Sequence, residues 1–289
     1  MSHETLAYMA AGIALIGMMA YAVLGGADFG GGIWDLFATG RRKHEQRAAI
    51  ARAMGPVWEA NHVWLIFVIV VLFTCFPRAY ASLGIALFVP FHLALVGIML
   101  RGAAFVFRGY GRRPEGDSPW SVVFGVASVI SPLLLGAAFG AITAGGLQVT
   151  PEGEVLVGPI PPYLRAYSLA CGLLALSTCA YLAAVYLTVE TDEGLREDFR
   201  IRAIIAGTST AILAGLVLLL ARWEARWFFD QLTSRRAMPV LAVGLFFFAG
   251  SAWAVFTRRY LLSRVFAAGE IVLLLLGWGL AQQPYLVYP

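Results

Sequence analysis

Residues 21–35 read YAVLGGADFGGGIWD, and this stretch places a carboxylate, Asp28, among five glycines at the end of an apolar segment. A second acid, Asp35, follows seven residues later. Gly26 and Gly30 form a G-x-x-x-G pattern, which in membranes lets a neighbouring helix approach closely. The stretch therefore predicts a closely packed helix that carries an acid, and the surrounding chain determines whether that acid meets water or lipid.

The composition is that of an integral membrane protein. Of the 289 residues, 60% are hydrophobic and 13% are charged, and the mean hydropathy is +0.77. The charged share is about half of that in soluble domains, so polar surface is too scarce to cover a soluble globule. The net charge of +4 is explained by arginines in loops between spans, and it does not indicate a nucleic-acid partner.

The cysteines and the N-terminus show no sign of a disulfide framework or of a cleaved leader. Cys75, Cys171 and Cys179 lie in apolar segments without a C-x-x-C pair, which argues against a zinc site and favours a packing role. The first residues, MSHETLAYMAAG, lack the basic region that opens a signal peptide. We therefore expect the first apolar segment to remain in the protein.

Eight segments are long and apolar enough to cross a membrane, since a spanning helix needs about 20 such residues. Their approximate bounds are 6–37, 57–76, 82–105, 121–145, 163–189, 203–221, 238–257 and 262–281. A proline-rich loop, residues 148–162, falls at the middle of the chain. We predict an all-α membrane protein of about eight transmembrane helices in two four-helix bundles, residues 1–147 and 163–289, joined by that loop within one membrane domain.

Basic residues in the loops predict how the spans are oriented. The loops after the first, third, fifth and seventh segments hold most of the arginines. Because basic loops stay in the cytoplasm, these four are predicted to be cytoplasmic and both termini to lie outside it. Residues 222–237, RWEARWFFDQLTSRRA, are basic on the opposite side, and their mixture of arginine and aromatic residues suits a segment at the lipid headgroups.

Ionisable side chains within the spans are the first candidates for function, because a charge at the centre of a span costs about 2.5–3.5 kcal/mol by insertion scales. The candidates are Asp28, Asp35, Glu59, His62, His92, Arg101 and Glu270. Asp28 suits either a proton path or a hydrogen bond between helices, and the alternative is an acid solvated at the cytoplasmic mouth of the first helix. Solvation at that mouth is the expectation for Asp35, which lies nearer the basic loop.

The second span opens with PVWEANHVWLIF, residues 56–67. Its proline, Pro56, suits the first turn of a helix, and Glu59 and His62 share a face three residues apart. Glu-x-x-His is half of the motif of di-iron bundles, but the chain has no second copy. An inward polar turn with Glu59 as a proton carrier is favoured over an interfacial tryptophan belt. The same turn also carries Trp58, Asn61 and Trp64.

The remaining polar groups have simpler explanations beside the functional ones. His92 follows Pro90 and could ligate haem, although a hydrogen bond to a backbone carbonyl freed by the proline is favoured. Arg101 ends the third span and is expected to extend towards the cytoplasmic interface. Glu270 lies inside the last span, where it is expected to be protonated or paired with an unidentified partner.

Five stretches, in this order along the chain, resemble subunit II of cytochrome bd-type quinol oxidases. They are GGADFGGGIWDLF (25–37), PVWEANHVWLI (56–66), FPRAYASL (76–83), RGAAFVFR (101–108) and GWGLAQQPYL (277–286). Asp28 matches the second acid of the family's D-G-x-D-x-G pattern, whereas Gly25 stands where the first acid would fall. Glu59 matches the family's Asp or Glu in the second span, and His62 takes a place often held by Gln.

The resemblance implies a membrane heterodimer in the bacterial inner membrane. Its partner, subunit I, would hold haems b and d and the quinol site, and the complex would oxidise quinol and reduce oxygen to water. This chain would support the partner, with Asp28, Glu59, His62 and Asn61 as candidates for a proton path. Trp58, Trp64 and Arg101 are structural or quinone-proximal candidates. The resemblance also leaves room for a bound quinone and a small accessory subunit, and the missing acid at Gly25 puts one proton route in doubt.

Two other functions compete with this hypothesis. A small secondary transporter would also use buried acids and glycine-interrupted helices, but no pair of broken helices occupies matching positions in the two halves. A self-contained membrane metalloenzyme lacks enough candidate ligands. No phosphate loop, dinucleotide fingerprint or nucleophile elbow is present in the chain.

Overall fold

A computed structural model describes residues 2–107, 119–149, 155–156 and 159–287 of the chain. Within these ranges it is built almost entirely from helices. Seven of them are long and apolar enough to cross a membrane, or eight if the bent pair Lys43–Gly55 and Ala60–Cys75 counts as one span. The expected all-α membrane architecture is therefore confirmed.

The helices are numbered α1 to α10 in chain order. Their bounds are α1 His3–Leu36, α2 Lys43–Cys75, α3 Pro77–Ala86, α4 Phe88–Phe107, α5 Pro119–Thr143, α6 Ala166–Glu190, α7 Glu193–Glu224, α8 Arg226–Leu232, α9 Met238–Phe256 and α10 Tyr260–Gln282. Two short antiparallel strands, β1 Gln148–Val149 and β2 Val155–Leu156, pair between α5 and α6. A 3-10 turn, Pro162–Leu164, leads into α6.

Several boundaries differ from those expected. The second span was predicted to begin at Pro56, but α2 begins at Lys43 and takes in much of the basic loop. Pro56 lies where α2 bends by 50° between its parts Lys43–Gly55 and Ala60–Cys75. A proline inside a helix removes one backbone hydrogen bond and crowds the preceding turn, which accounts for a bend there.

The third predicted span and the headgroup segment also divide in two. Segment 82–105 is interrupted at Leu87, which separates α3 from α4. Segment 222–237 contains the end of α7, a break at Ala225 and the seven-residue helix α8. The arginines Arg108, Arg112 and Arg113, used to predict orientation, lie outside the described residues, as do residues 150–154 between the two strands.

Helix α1 has a central place in the packing, since it contacts α2, α5, α6 and α10. Its second half is buried from Gly25 to Ile33, whereas most of its first half is exposed. A Cβ atom added at Gly30 would collide with the carbonyl oxygen of Cys179 on α6, and one at Gly26 would lie 2.8 Å from Leu182. The close approach predicted from the G-x-x-x-G pattern is confirmed, and α6 is the helix that approaches.

The two predicted halves meet over a broad surface. Helix α6, the first of the C-terminal half, packs against α1 and α5 of the N-terminal half as well as against α7. Small residues allow this contact, because Gly136 and Gly140 on α5 and Gly172 on α6 all face the opposite backbone closely. The division at residues 147 and 163 therefore stays a prediction about the chain's organisation.

Candidate functional site

The centre of the N-terminal half is a buried ion pair between α1 and α4. Arg101 Nη1 and Nη2 each donate to one carboxylate oxygen of Asp28, both at 2.6 Å. Arg101 Nη2 also donates to the backbone carbonyl of Asp28 at 2.8 Å. The side chains of Asp28 and Arg101 are 1% and 2% exposed. The pair is thus a bidentate salt bridge that is buried away from solvent. The planar guanidinium group is suited to this geometry.

Other helices complete the hydrogen bonding of this pair. Arg101 Nε donates to the Ser128 hydroxyl on α5 at 2.8 Å, and that hydroxyl donates to the Phe124 carbonyl. Asn61 on α2 donates from Nδ2 to Asp28 at 3.3 Å. The guanidinium also lies over the ring of Phe124, 4.7 Å from its centroid, and over that of Phe29 at 5.1 Å. One charged pair therefore ties together α1, α2, α4 and α5.

The expectation for Arg101 and one of the two alternatives for Asp28 are wrong. Arg101 does not extend to an interface, because its charge is held inside the helix bundle by Asp28. Asp28 is not an acid solvated at the mouth of α1, since the residue has no exposed surface. The physical reason is the same for both residues. Each charge removes the cost of burying the other, and a sequence does not show which helix faces which.

The position of the missing acid faces the amide of Asn61. A Cβ atom placed at Gly25 would lie 2.8 Å from Asn61 Oδ1. That oxygen is buried without a hydrogen-bond partner among the residues that the structure describes. With glycine at position 25, the Asn61 amide fits closely against α1 and reaches Asp28 with its nitrogen.

The polar turn of α2 lies next to this pair. His62 is half-buried, its Nδ1 is 2.9 Å from the Trp58 carbonyl, and its ring packs edge-on against the Trp58 indole. Trp58 also stacks on Phe105 of α4, with its indole nitrogen buried and no acceptor within the described part of the chain. Trp64 packs edge-on against Phe67 of the same helix. The backbone of Glu59 lies in α2, but its side chain is outside the described part of the structure.

His92 and Asp35 lie elsewhere. His92 Nδ1 is 2.7 Å from the backbone carbonyl of Phe88, so a contact with a backbone carbonyl is present as expected. The carbonyl is not the one that the proline frees, because Pro90 leaves the carbonyl of Ala86 without its helical donor. His92 is exposed, and no contact joins it to His62 among the described residues. Asp35 is 1% exposed, so it is not the solvated acid that was expected, and its carbonyl accepts from Arg47 at 3.1 Å.

The C-terminal half also holds a buried acid. Glu270 on α10 is 8% exposed, and Tyr181 on α6 packs in the same buried cluster as Ala267 and Ile271 of α10. Tyr181, Ser251 and Ser128 were not singled out from the sequence. The only signal that could have found them is a hydroxyl within an otherwise apolar span, which is too common to be specific. Among the described residues, no three His, Cys, Asp or Glu side chains are close enough to hold a metal ion.

Comparison with known proteins adds a family match over nearly the whole chain. The family model described as "Cytochrome bd terminal oxidase subunit II" matches residues 6–289. Among characterised relatives, "Cytochrome bd ubiquinol oxidase subunit 2" of Bacillus subtilis is 28% identical over 238 residues, 82% of this chain and 68% of that protein. A second B. subtilis protein, "Putative cytochrome bd menaquinol oxidase subunit II", is 25% identical over 93% of this chain and 80% of its own length.

A solved structure supports the fold. A chain in the bd oxidase structure from Geobacillus thermodenitrificans superposes with a TM-score of 0.84 and 22% sequence identity. The match covers 99% of this chain and 87% of the other. The arrangement of helices described above is therefore one that also occurs in a membrane oxidase.

Proposed function

The chain belongs to the cytochrome bd terminal oxidase subunit II family, and on that premise we propose that it is the second subunit of a respiratory quinol oxidase in the bacterial inner membrane. The family match from residue 6 to residue 289 is the observation that carries this proposal. Nothing found in the chain supports the transporter alternative. In the proposed complex, a partner subunit I holds haems b and d and the site where quinol is oxidised, and oxygen is reduced to water there.

The buried pair supports a scaffolding role for the N-terminal half. Both oxygens of Asp28 and most of the N–H groups of Arg101 are engaged within the chain. A carboxylate held in this way cannot release its partner without leaving a buried, unpaired guanidinium, which is costly. We therefore assign Asp28 and Arg101 to holding the helices in position, with Asn61 connecting α2 to them.

A proton path in this subunit would use the polar turn of α2. Glu59 and His62 lie one turn apart on this helix, and carboxyl and imidazole groups are the side chains that pass protons most readily near neutral pH. The Asp28 carboxylate, paired with Arg101, and the Asn61 amide would border the path as fixed polar groups. The basic loops are proposed to face the cytoplasm, which would be the source of these protons.

Purification of the complex tests the subunit assignment. The chain, tagged at its C-terminus and expressed with its neighbouring genes, is expected to carry a second membrane protein through detergent purification. The preparation should show b- and d-type haem spectra and consume oxygen when given ubiquinol or menaquinol. A chain that purifies without a haem-bearing partner, with no quinol-dependent oxygen uptake, would contradict the proposal.

Substitution of Glu59 tests the proton path separately. Glu59→Gln keeps the size of the side chain and removes its ability to take up a proton, so oxygen consumption should fall by about tenfold or more while haem content is unchanged. Glu45→Gln, at an exposed position of the same helix, is the matched control and should leave the rate unaltered. Equal rates for Glu59→Gln and wild type would remove Glu59 from the path without affecting the subunit assignment.

A further inference from the structure

Glu270 is a buried acid that the proposed function does not use. It lies on α10, eleven residues into the helix, and is 8% exposed. Its Oε2 atom is buried without a hydrogen-bond partner, and within the described chain no salt bridge involves Glu270. An ionised carboxylate without a partner in an apolar interior would carry a large desolvation cost.

The surroundings of Glu270 contain a short chain of hydroxyl groups. Ser263, Ala267 and Glu270 recur at spacings that place them on one face of α10. The Ser251 hydroxyl on α9 donates to the Ser263 carbonyl at 3.1 Å, and it lies 2.5 Å from the hydroxyl of Tyr181 on α6. Tyr181 also packs in the same buried cluster as Ala267 and Ile271, which lie on either side of Glu270 along α10.

The direction of these hydrogen bonds determines what Tyr181 can offer. Ser251 has one hydrogen, which it gives to the Ser263 carbonyl. In the 2.5 Å contact, Tyr181 is therefore the donor and Ser251 the acceptor. The phenol oxygen then has no hydrogen left and can only accept. A group that approaches it from the Glu270 side must be a donor, and a carboxyl group is a donor only when it is protonated.

Among the described residues, no basic side chain on the neighbouring helices is paired with Glu270. Helix α9 carries no charged residue. On α6, Glu190 is paired with Arg264 at 2.9 Å, and on α1, Asp28 is bound to Arg101. The charged residues of α8, Arg226 and Asp230, belong to a helix that packs near Ala281, at the other end of α10.

We propose that Glu270 is a proton-binding site inside the C-terminal half, where the neutral carboxylic acid donates through one bridging water to the Tyr181 oxygen. Release breaks the carboxyl O–H bond and passes the proton to water, and rebinding reverses this step, with no change in oxidation state. The hydroxyl chain ends on a backbone carbonyl, which cannot pass a proton further. The site therefore holds a proton and exchanges it on the Glu270 side only.

This inference goes beyond the proposed function and stands without it. It concerns residues of α6, α9 and α10, none of which contributes to the Asp28–Arg101 pair or to the polar turn of α2. A failure of the quinol oxidase assignment would leave it unchanged, and its own failure would not affect that assignment.

Infrared difference spectroscopy of the purified protein with its bound partners tests the site. The wild type minus Glu270→Gln spectrum should contain the C=O band of a protonated carboxyl group, and the band should shift to lower frequency in D₂O. Glu190→Gln, which removes an ion-paired acid one helix away, is the matched control and should lose carboxylate bands only. Absence of a protonated carboxyl band from the Glu270 difference, or a band that fails to shift in D₂O, would overturn the proposal.

A second variant keeps the test valid if Glu270→Gln does not fold. Tyr181→Phe removes the acceptor and keeps the ring, which packs against Gly207. The carboxyl band of Glu270 should move to higher frequency in this variant, because the bridging water loses its anchor and the acid loses its hydrogen bond. A band in the same position in wild type and Tyr181→Phe would show that Tyr181 is not the acceptor and would overturn the proposed site.

Discussion

The pairing of Asp28 with Arg101 constrains how α1 and α4 pack within the N-terminal half. Both charges are desolvated, and burial of a charge without a partner costs several kcal/mol. Three features offset that cost: the bidentate geometry, the Ser128 hydroxyl and the two aromatic rings over the guanidinium. The pair therefore contributes less to net stability than to specificity, because any packing that separates α1 from α4 leaves two bare charges.

The first prediction concerns this pair. Asp28→Asn keeps the shape of the side chain but leaves the Arg101 charge uncompensated, and loss of one partner of a buried pair costs about 3–5 kcal/mol. We expect a lower yield of folded protein and a lower midpoint of thermal unfolding in detergent. Removal of both charges, as in Asp28→Leu with Arg101→Met, should recover much of the loss. A stability of Asp28→Asn equal to that of wild type would show that the pair is not structural.

Helix α1 combines two different environments in one element. Its 34 residues span about 50 Å, more than the roughly 30 Å of a bilayer core. Large apolar side chains such as Leu6, Met9 and Ile16 are exposed in its first half, where lipid or a partner can cover them. The glycines of its second half bring it against α2, α5 and α6. Small residues in this element therefore decide the packing, as the G-x-x-x-G pattern predicts.

The second prediction compares two glycines of α1. Gly30→Ala places a methyl group against the Cys179 carbonyl, a backbone atom that cannot rotate away, and overpacking of this kind costs about 1–3 kcal/mol. Gly12→Ala has no neighbour within 4 Å and should be neutral or slightly stabilising, since alanine is the better helix former. Thermal unfolding of both variants measures the difference. Equal midpoints would contradict the close approach of α1 and α6.

At the scale of the whole molecule, a polar cluster joins the two halves at one end. Arg42, at the turn between α1 and α2, donates to Asp198 of α7 at 3.0 and 2.5 Å. Gln46 donates to the same carboxylate at 2.9 Å and accepts from Arg202 at 2.8 Å. These contacts fasten the start of α2 to α7.

The third prediction follows from the exposure of that cluster. Because Arg42 is about half exposed, screening limits what the contact contributes, and Asp198→Asn should cost less than about 1 kcal/mol. This loss of stability should become smaller as the salt concentration is raised, because dissolved ions screen the exposed charges. Unfolding midpoints at low and high salt measure both changes. A loss as large as that of Asp28→Asn, or one insensitive to salt, would show that the cluster is effectively buried.

The fourth prediction tests the division of the chain into two halves. Residues 1–147 and 163–289, expressed together as separate polypeptides, should associate in the membrane, because the contacts of α6 with α1 and α5 do not depend on the connecting loop. Co-purification through a tag on one fragment measures this. Gly30→Ala in the N-terminal fragment should weaken the association, and Gly12→Ala should not. Fragments that never associate would mean that the loop is required for packing.

The sequence by itself determined the membrane class, the approximate number of spans, the close approach at Gly26 and Gly30, and the family. These properties depend on composition, on periodic apolar length and on motifs, all of which are local along the chain. Boundaries were less predictable where a helix continued through polar residues, as in α2, or stopped within an apolar segment, as at Leu87.

Only the tertiary structure decided which polar groups meet. Arg101 and Asp28 are 73 residues apart in sequence, and Tyr181 and Ser251 are 70 apart. In an apolar span, each of these side chains has the same local appearance whether it faces lipid, water or another helix. The rotation of each helix about its axis determines its partner, and that rotation results from the packing of all the helices together.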